Sequence, residues 1–373
     1  MKETAFIWDE KCFWHFGSNY AQLAPVGGLV QPMEAGGLPE APATKRRLKS
    51  LLEVTGLAAE LDMMNAPPAS MQDLLRIHPR KYLESFKALS DGGGGELGLR
   101  TPFGPGAFEI AALSAGLVIK AIEVVQTGQA RNAYALSRPP GHHCLPDWPN
   151  GFCLLANTAI AVEAARARGL GEKFAVIDWD VHHGNGTEAI FYDRDDVLTI
   201  SIHQDRCYPH DTGATSAIGK GTGAGFNMNV PLPPGCGHKA YLDAFERLIL
   251  PKLRAFDADL IIVACGFDAS GFDPLARMMC SRETYRLMTR QLLGLSDGRL
   301  VAAHEGGYSE LYVPFCGHAM LEEMSGSDVR AGDPLEERIA AQQPDIFADA
   351  FHDSVITRLA LDLRARGVLG SAQ

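Results

Sequence analysis

Asp178, Asp180 and His182 occupy every second position of the stretch Val176-Ile177-Asp178-Trp179-Asp180-Val181-His182-His183-Gly184-Asn185-Gly186. The stretch starts in an apolar run, 174–177, short enough for a buried strand, and ends in a glycine-punctuated turn. Extended backbone alternates its side chains, so the two acids and the imidazole project to one side. An acid and an imidazole two residues apart, where a strand runs out into a loop, can bind one divalent metal ion. A loop whose acids merely cap the next helix would account for one aspartate, not for the cluster. A third ligand is available in Cys265-Gly266-Phe267-Asp268-Ala269, where Asp268 directly follows a second buried run. By itself Asp268 would read as a turn or capping acid. Two carboxylates and one imidazole leave a coordination position open, as catalytic zinc requires, although ferrous iron or cobalt suits the same set. His183 faces the other way and reads as structural.

Pro139-Pro140-Gly141-His142-His143 sets two adjacent imidazoles on a loop stiffened by prolines. Beside a metal such a pair can act as general base and general acid. Each needs a partner to fix its tautomer, and Asp178 and Asn185 flank the metal positions suitably. Glu305-Gly306-Gly307-Tyr308 places a phenol after two glycines, Gly306 and Gly307, that let the backbone approach a ligand. Its hydroxyl could stabilise an oxyanion.

These groups need a scaffold, and the chain supplies the pattern of one. Apolar runs alternate with helical periodicity: strands over 4–8, 133–137, the run into Asp178, 197–203, 260–265 and 300–304. Helices are expected over 45–61, 71–89, 108–127, 154–168, 187–192, 238–256, 281–295 and 312–325. Alternating strands and helices, with strands reading as continuous apolar runs, predict a mainly parallel sheet covered on both faces. Every polar cluster follows a strand, and sites in open α/β sheets form beyond the carboxyl ends of the strands. Residues 9–44 read as a long functional loop, 91–96 as a mobile surface loop, 213–225 as a glycine-rich loop and 326–373 as a polar helical region. With 373 residues, 46% of them apolar, the chain can bury a large core, and it is read as one domain over 1–373. A net charge of -11 argues against general nucleic-acid binding and mildly favours cationic ligands. The absence of a membrane-length apolar run or a signal-peptide core predicts a cytoplasmic protein without a membrane partner. Eight cysteines without a Cys-x-x-Cys pair fit reduced, mostly buried thiols.

Taken together, Arg138-Pro139-Pro140-Gly141-His142-His143, the 178–186 motif, Gly266-Phe267-Asp268-Ala269 and Glu305-Gly306-Gly307-Tyr308 resemble the zinc-dependent histone deacetylase superfamily, above all its class II branch and the bacterial histone-deacetylase-like amidohydrolases. The resemblance runs from Phe13-Trp14 to Tyr312-Val313-Pro314-Phe315-Cys316-Gly317. It implies an arginase/deacetylase-type α/β fold, three-layered as α/β/α, and zinc on Asp180, His182 and Asp268. It implies His142 and His143 as the acid/base pair, Tyr308 polarising the scissile carbonyl, and release of acetate from an acetyl-lysine-type amine. Phe152 and Tyr208 match walls of the acyl channel, and Gly151 the residue whose carbonyl receives the substrate amide. Structural potassium is implied at Asp178, Asp180, His182, Ser201 and Ile202, with a second site at Phe191, Arg194, Val197 and Phe226. Bacterial relatives often assemble through long N-terminal and glycine-rich loops, which points to a homo-oligomer, a dimer or tetramer.

The chain departs from the family pattern in two places. Asn185 stands where class I relatives carry Asp; it can orient His143 without stabilising its charged form, which implies a lower pKa for that imidazole. Glu96 is the nearest match to the rim acid that grips the substrate backbone, displaced by glycine insertions. Acetylpolyamine or another small acylated amine is the rival substrate. An arginase-like dimanganese enzyme would want an acid where Gly184 stands. A non-catalytic acyl-ligand sensor would not need His142, His143 and Tyr308 together.

Overall fold

The computed structural model describes residues 3–15 and 40–370, with the backbone alone at 19–20 and 24–25. Most of the expected 9–44 loop, including Phe16 and Gly17, lies outside these residues. The strands are β1 (Thr4–Ile7), β2 (Asn19–Tyr20), β3 (Ala24–Pro25), β4 (Asp62–Met64), β5 (Gly95–Glu96), β6 (Pro102–Phe103), β7 (Asn132–Ala135), β8 (Phe174–Asp178), β9 (Val197–Gln204), β10 (Asn227–Leu232), β11 (Leu260–Cys265) and β12 (Leu300–His304). Eight form one sheet in the order β10-β9-β8-β11-β12-β7-β1-β4, every pairing parallel. Every residue of β8, β9, β11 and β12 is buried, as a parallel sheet covered on both faces demands. The helices Ala107–Gln126 and Asn157–Ala167 pack together, and Arg282–Leu295 packs with Val313–Ser325, which in turn meets Ala43–Thr55.

The sequence places the five polar clusters after β7, β8, β9, β11 and β12. In the sheet these strands are contiguous, β9-β8-β11-β12-β7. Their carboxyl ends therefore open into one region, and residues more than a hundred positions apart meet there.

Three expectations are corrected. The helix expected over 71–89 is two, Met71–Leu74 and Arg80–Asp91, because Pro79 cannot continue a ladder and biases its predecessor out of the helical region. The break frees His78, whose ring meets the Pro146 carbonyl at 2.7 Å and the Ala156 N–H at 3.0 Å, tying it to the histidine-bearing loop. The 91–96 segment is a helix end and a turn that lead into β5, which pairs with β6 in a small antiparallel ribbon. Two strands of the eight-stranded sheet, β4 and β10, were not anticipated. β10 lies at an edge, where Pro231 is tolerated, and its asparagines bind Glu188 instead of reading as an apolar run. The helix over 238–256 is continuous but carries a π-type turn at Phe245–Ile249.

A buried ion cluster fixes the start of the histidine-bearing loop. Arg138, 1% exposed, donates to the carbonyls of Cys12, His15 and Glu40 and pairs with the Glu40 carboxylate at 3.0 Å, which also takes Lys45 at 3.0 Å. Removing the acid would leave two buried cations facing each other. Glu40→Gln is expected to lower the unfolding free energy by about 3–5 kcal/mol, read from urea denaturation; a loss below about 1 kcal/mol would contradict this role.

Candidate active site

Beyond Asp178 the chain turns through a run of acid-to-backbone hydrogen bonds. The Asp180 N–H donates to Asp178 Oδ1 at 3.1 Å and the His182 N–H to Asp180 Oδ1 at 2.9 Å. Each acid thus stabilises the turn two residues on, and the alternation of side chains survives the end of the strand. Asp268, arriving from β11, accepts the Val181 N–H on Oδ1 at 2.7 Å, and Gly306, from β12, donates to Asp180 Oδ2 at 2.8 Å. His182 Nδ1 then lies 3.0 Å from Asp180 Oδ1 and 3.1 Å from Asp268 Oδ2. Donor atoms of all three residues fall within 4.8 Å of one another, and all three side chains are buried. The space is kept open by glycine: a Cβ on Gly266 would stand 2.2 Å from Asp180 Oδ2, and one on Gly306 2.3 Å from Asp268 Oδ2.

Such a pair of acids resists double ionisation. Burial and then the charge of Asp180 push Asp268 up to about 6. Asp180 is held below its ordinary value although burial opposes this, because His142 and His182 stand beside it. A divalent cation relieves that conflict by letting both carboxylates ionise, and the set of two carboxylates and an imidazole fits zinc with a position left open.

His142 and His143 lie against this cluster with ring centres 3.9 Å apart. His142 Nδ1 meets Asp178 Oδ2 at 2.9 Å and His143 Nδ1 meets Asn185 Oδ1 at 2.8 Å, so each imidazole has the partner expected for it. The two environments differ in charge. Burial opposes a proton on His142, but Asp180, Asp178 and Glu305 outweigh it and lift the imidazole to about 10. Burial lowers His143 well below its ordinary value, the neighbouring His142 and His182 add to that, and the neutral Asn185 offsets little of it. The two rings are therefore pushed in opposite directions, His142 toward the imidazolium and His143 toward the neutral ring. Glu305 sets their backbone: its Oε2 accepts the N–H groups of Gly141 at 2.6 Å and His142 at 3.2 Å.

A pocket of about 130 Å³ opens over the cluster, with His143, His182 and Tyr308 lining it along with Gly151, Phe152 and Tyr208. Phe152 stands edge-on to Tyr308 at 6.0 Å and Tyr208 edge-on to His143 at 5.0 Å. Gly151 adopts φ +50 and a Cβ there would strike His143 at 2.4 Å, so only glycine fits under the wall. Tyr308 is held protonated, its phenol raised well above the ordinary value by burial and then by Asp180 and Asp268. Gly307, at φ +120, turns the chain just before it.

Some expected residues stand elsewhere. Glu96 does not line the pocket; its carboxylate accepts the Thr101 N–H at 2.9 Å within its own ribbon. His183 bonds Thr212 and Glu188 away from the pocket. Ser201 and Ile202 lie on β9, where Ser201 pairs in register with Asp178. Phe191 and Arg194 join through a 3.1 Å backbone bond, Val197 opens β9, and the Phe226 carbonyl accepts from Thr199 at 3.0 Å. Four residues were missed. Arg100, Cys207 and Leu275 line the pocket, and Asp273 accepts the Tyr308 N–H at 2.8 Å. Asp273 had a local signal, the repeated Gly-Phe-Asp of Gly266-Phe267-Asp268 and Gly271-Phe272-Asp273; the other three reach the site only through long-range folding.

A family model described as the histone deacetylase domain matches residues 38–324. The chain is 56% identical to a histone deacetylase-like amidohydrolase of Pseudomonas aeruginosa, over 96% of this chain and 94% of that protein. It is 37% identical to histone deacetylase 8 of Arabidopsis thaliana over 76% of this chain and 78% of that protein. Among solved structures it resembles the HDA15 HD domain with a TM-score of 0.81 and 29% identity, covering 98% of each chain.

The Asn185 contact makes the pH dependence of any hydrolysis testable. A base must be neutral to act, so activity falls as pH drops through its pKa. Asn185→Asp would put a carboxylate on His143 Nδ1, favour the charged ring and move the acid limb of kcat/KM to higher pH. An unmoved acid limb would contradict the assignment of His143 as the base.

Proposed function

Because the chain belongs to the histone deacetylase family, and is thereby a hydrolase of amide bonds, we propose that it is a zinc-dependent deacetylase that releases acetate from acetyl-lysine-type amines. The observation supporting this reading is the convergence of Asp180, His182 and Asp268 beside the His142/His143 pair, directly behind a pocket that His143 and His182 line. Those three residues would hold the zinc, whose Lewis acidity would act on the substrate carbonyl and on the attacking water.

The remaining work falls to the chain. Phe152 and Tyr208 flank the acyl-lysine stem, and the Gly151 carbonyl receives the substrate N–H. His143, neutral, takes the proton from water as it attacks the carbonyl carbon. The Tyr308 hydroxyl, kept protonated, donates to the carbonyl oxygen as negative charge develops there. Asp273 and Gly307 fix the peptide that carries this phenol. An imidazolium then protonates the leaving amine, the carbon–nitrogen bond breaks, and acetate departs. The ring stabilised as a cation by Asp178 is His142.

The reading extends to potassium at Asp178, Asp180, His182, Ser201 and Ile202, supported by the pairing of Asp178 with Ser201 across β8 and β9. The more distant site at Phe191, Arg194, Val197 and Phe226 stands on family resemblance. A homo-oligomer also belongs to it; the terminal helix Ile346–Ala365 exposes Ile346, Phe347 and Phe351, apolar area that a second copy could cover. No helix among the described residues is long and apolar enough to cross a membrane.

Acetate release from an acetyl-lysine peptide by the zinc-loaded protein tests the reading, with Tyr308→Phe as the diagnostic variant. The expected outcome is turnover by the parent and a kcat lower by about 10²–10³ in Tyr308→Phe, with a much smaller change in KM. Bound zinc without hydrolysis of any acylated amine would overturn the enzyme in favour of a sensor.

A further inference from the structure

Although the chain carries a net charge of -11, the lining of the pocket contains one arginine and no carboxylate among the described residues. The arginine is Arg100, exposed at the mouth, with its guanidinium carbon 5.0 Å from the centre of the Tyr208 ring. The nearest acid along the chain, Glu96, is turned away onto the Thr101 N–H. Of the acids close to the pocket, Asp273 is engaged with the N–H groups of Tyr308 and Leu275. Among the described residues Arg100 has an aromatic neighbour and no ion-pair partner.

The position is also built into the rim. Arg100 has φ +59, a left-handed conformation uncommon for a residue with a Cβ. Its carbonyl accepts the Phe152 N–H at 3.0 Å, and the Leu99 carbonyl accepts the Gly151 N–H at 3.0 Å. Residues 99–100 are thus stitched to the segment that forms the pocket wall, and the arginine is presented where the substrate leaves the pocket. Long-range attraction of cations by the acidic surface is screened beyond about 10 Å in 0.1 M salt. Among the described residues that line the pocket, Arg100 is the one arginine and no carboxylate stands beside it.

We propose that Arg100 is a specificity-determining residue that receives a carboxylate of the bound substrate, so that the preferred substrates are acylated amines bearing a free carboxylate and acylated polyamines are disfavoured. This rests on the deacylase reading above and narrows it. In an acetyl-lysine unit the methylene stem occupies the pocket and the α-carboxylate emerges beside the rim. That carboxylate can belong to the free amino acid derivative or to the last residue of a peptide. Guanidinium and carboxylate match as a two-toothed pair, which a lysine or a neutral amide could not reproduce.

The test compares kcat/KM of the zinc-loaded full chain on four compounds. These are an Nα-blocked acetyl-lysine with a free α-carboxylate, its carboxamide, a peptide ending in acetyl-lysine, and acetylputrescine. Arg100→Asn removes the charge with a residue that tolerates the left-handed conformation, and Arg100→Asp reverses it. The parent is expected to prefer the free acid over the carboxamide by roughly fivefold at low salt, less at high salt. That ratio should fall to about one in Arg100→Asn and invert in Arg100→Asp, with acetylputrescine gaining relative to the acid. A preference confined to either the single residue or the peptide identifies the source of the carboxylate and supports the proposal. Equal rates on acid and carboxamide in the parent, or a preference that survives Arg100→Asn, would overturn it while the deacylase reading stands. Hydrolysis of none of the four would overturn that reading and the proposal with it.

Discussion

Two buried carboxylates, Asp180 and Asp268, closing on one imidazole nitrogen are the constraint from which the rest of the molecule follows. Like charges at this distance, out of water, repel strongly and tend to capture a proton. The fold counters this with partners for each oxygen: His182 on Asp180 Oδ1, the Gly306 N–H on Oδ2, the Val181 N–H on Asp268 Oδ1 and the His182 ring on Oδ2. Backbone donors from two different strand ends are needed, so the acids can be held together only where several strands stop side by side. A divalent cation held by the two acids and His182 would complete the balance that these donors begin.

A parallel sheet provides such a place, because all its strands end on one edge. The run β9-β8-β11-β12-β7 brings five loops to that edge. Neighbouring parts of the molecule act on the same point: Glu305 holds the backbone of Gly141 and His142, His78 ties the far end of that loop, and Glu40 with Arg138 anchors its beginning. The imidazole pair stands at the cluster because its loop is fixed along its length. The two rings differ because Asp180, Asp178 and Glu305 outweigh burial at His142, whereas burial and the neighbouring His142 and His182 disfavour a charge on His143.

Much of this was legible in the residues themselves. The alternation of Asp178, Asp180 and His182 states its own geometry once the preceding run is recognised as a strand, and the apolar runs of β11 and β12 announce buried strands. Asp268, Glu305 and Tyr308 could be placed because each follows such a run. What escaped depended on tertiary contacts or on punctuation. β10 looks polar because its asparagines serve Glu188, and Pro79 was overridden by the amphipathic pattern around it. Arg100 reaches the mouth through a left-handed backbone that nothing local dictates, whereas Glu96, which looked like the rim acid, is consumed by its own ribbon. Short-range pattern reports which face a side chain takes on its own element; it does not report which distant loop that element will meet.

Anomalous diffraction recorded at the zinc absorption edge, on crystals of the zinc-loaded protein, addresses the buried acid pair most directly. One peak per chain is predicted, within bonding distance of the Asp180, His182 and Asp268 side chains. Full zinc loading with the peak on other residues, or with Asp268 outside the coordination shell, would contradict the assignment.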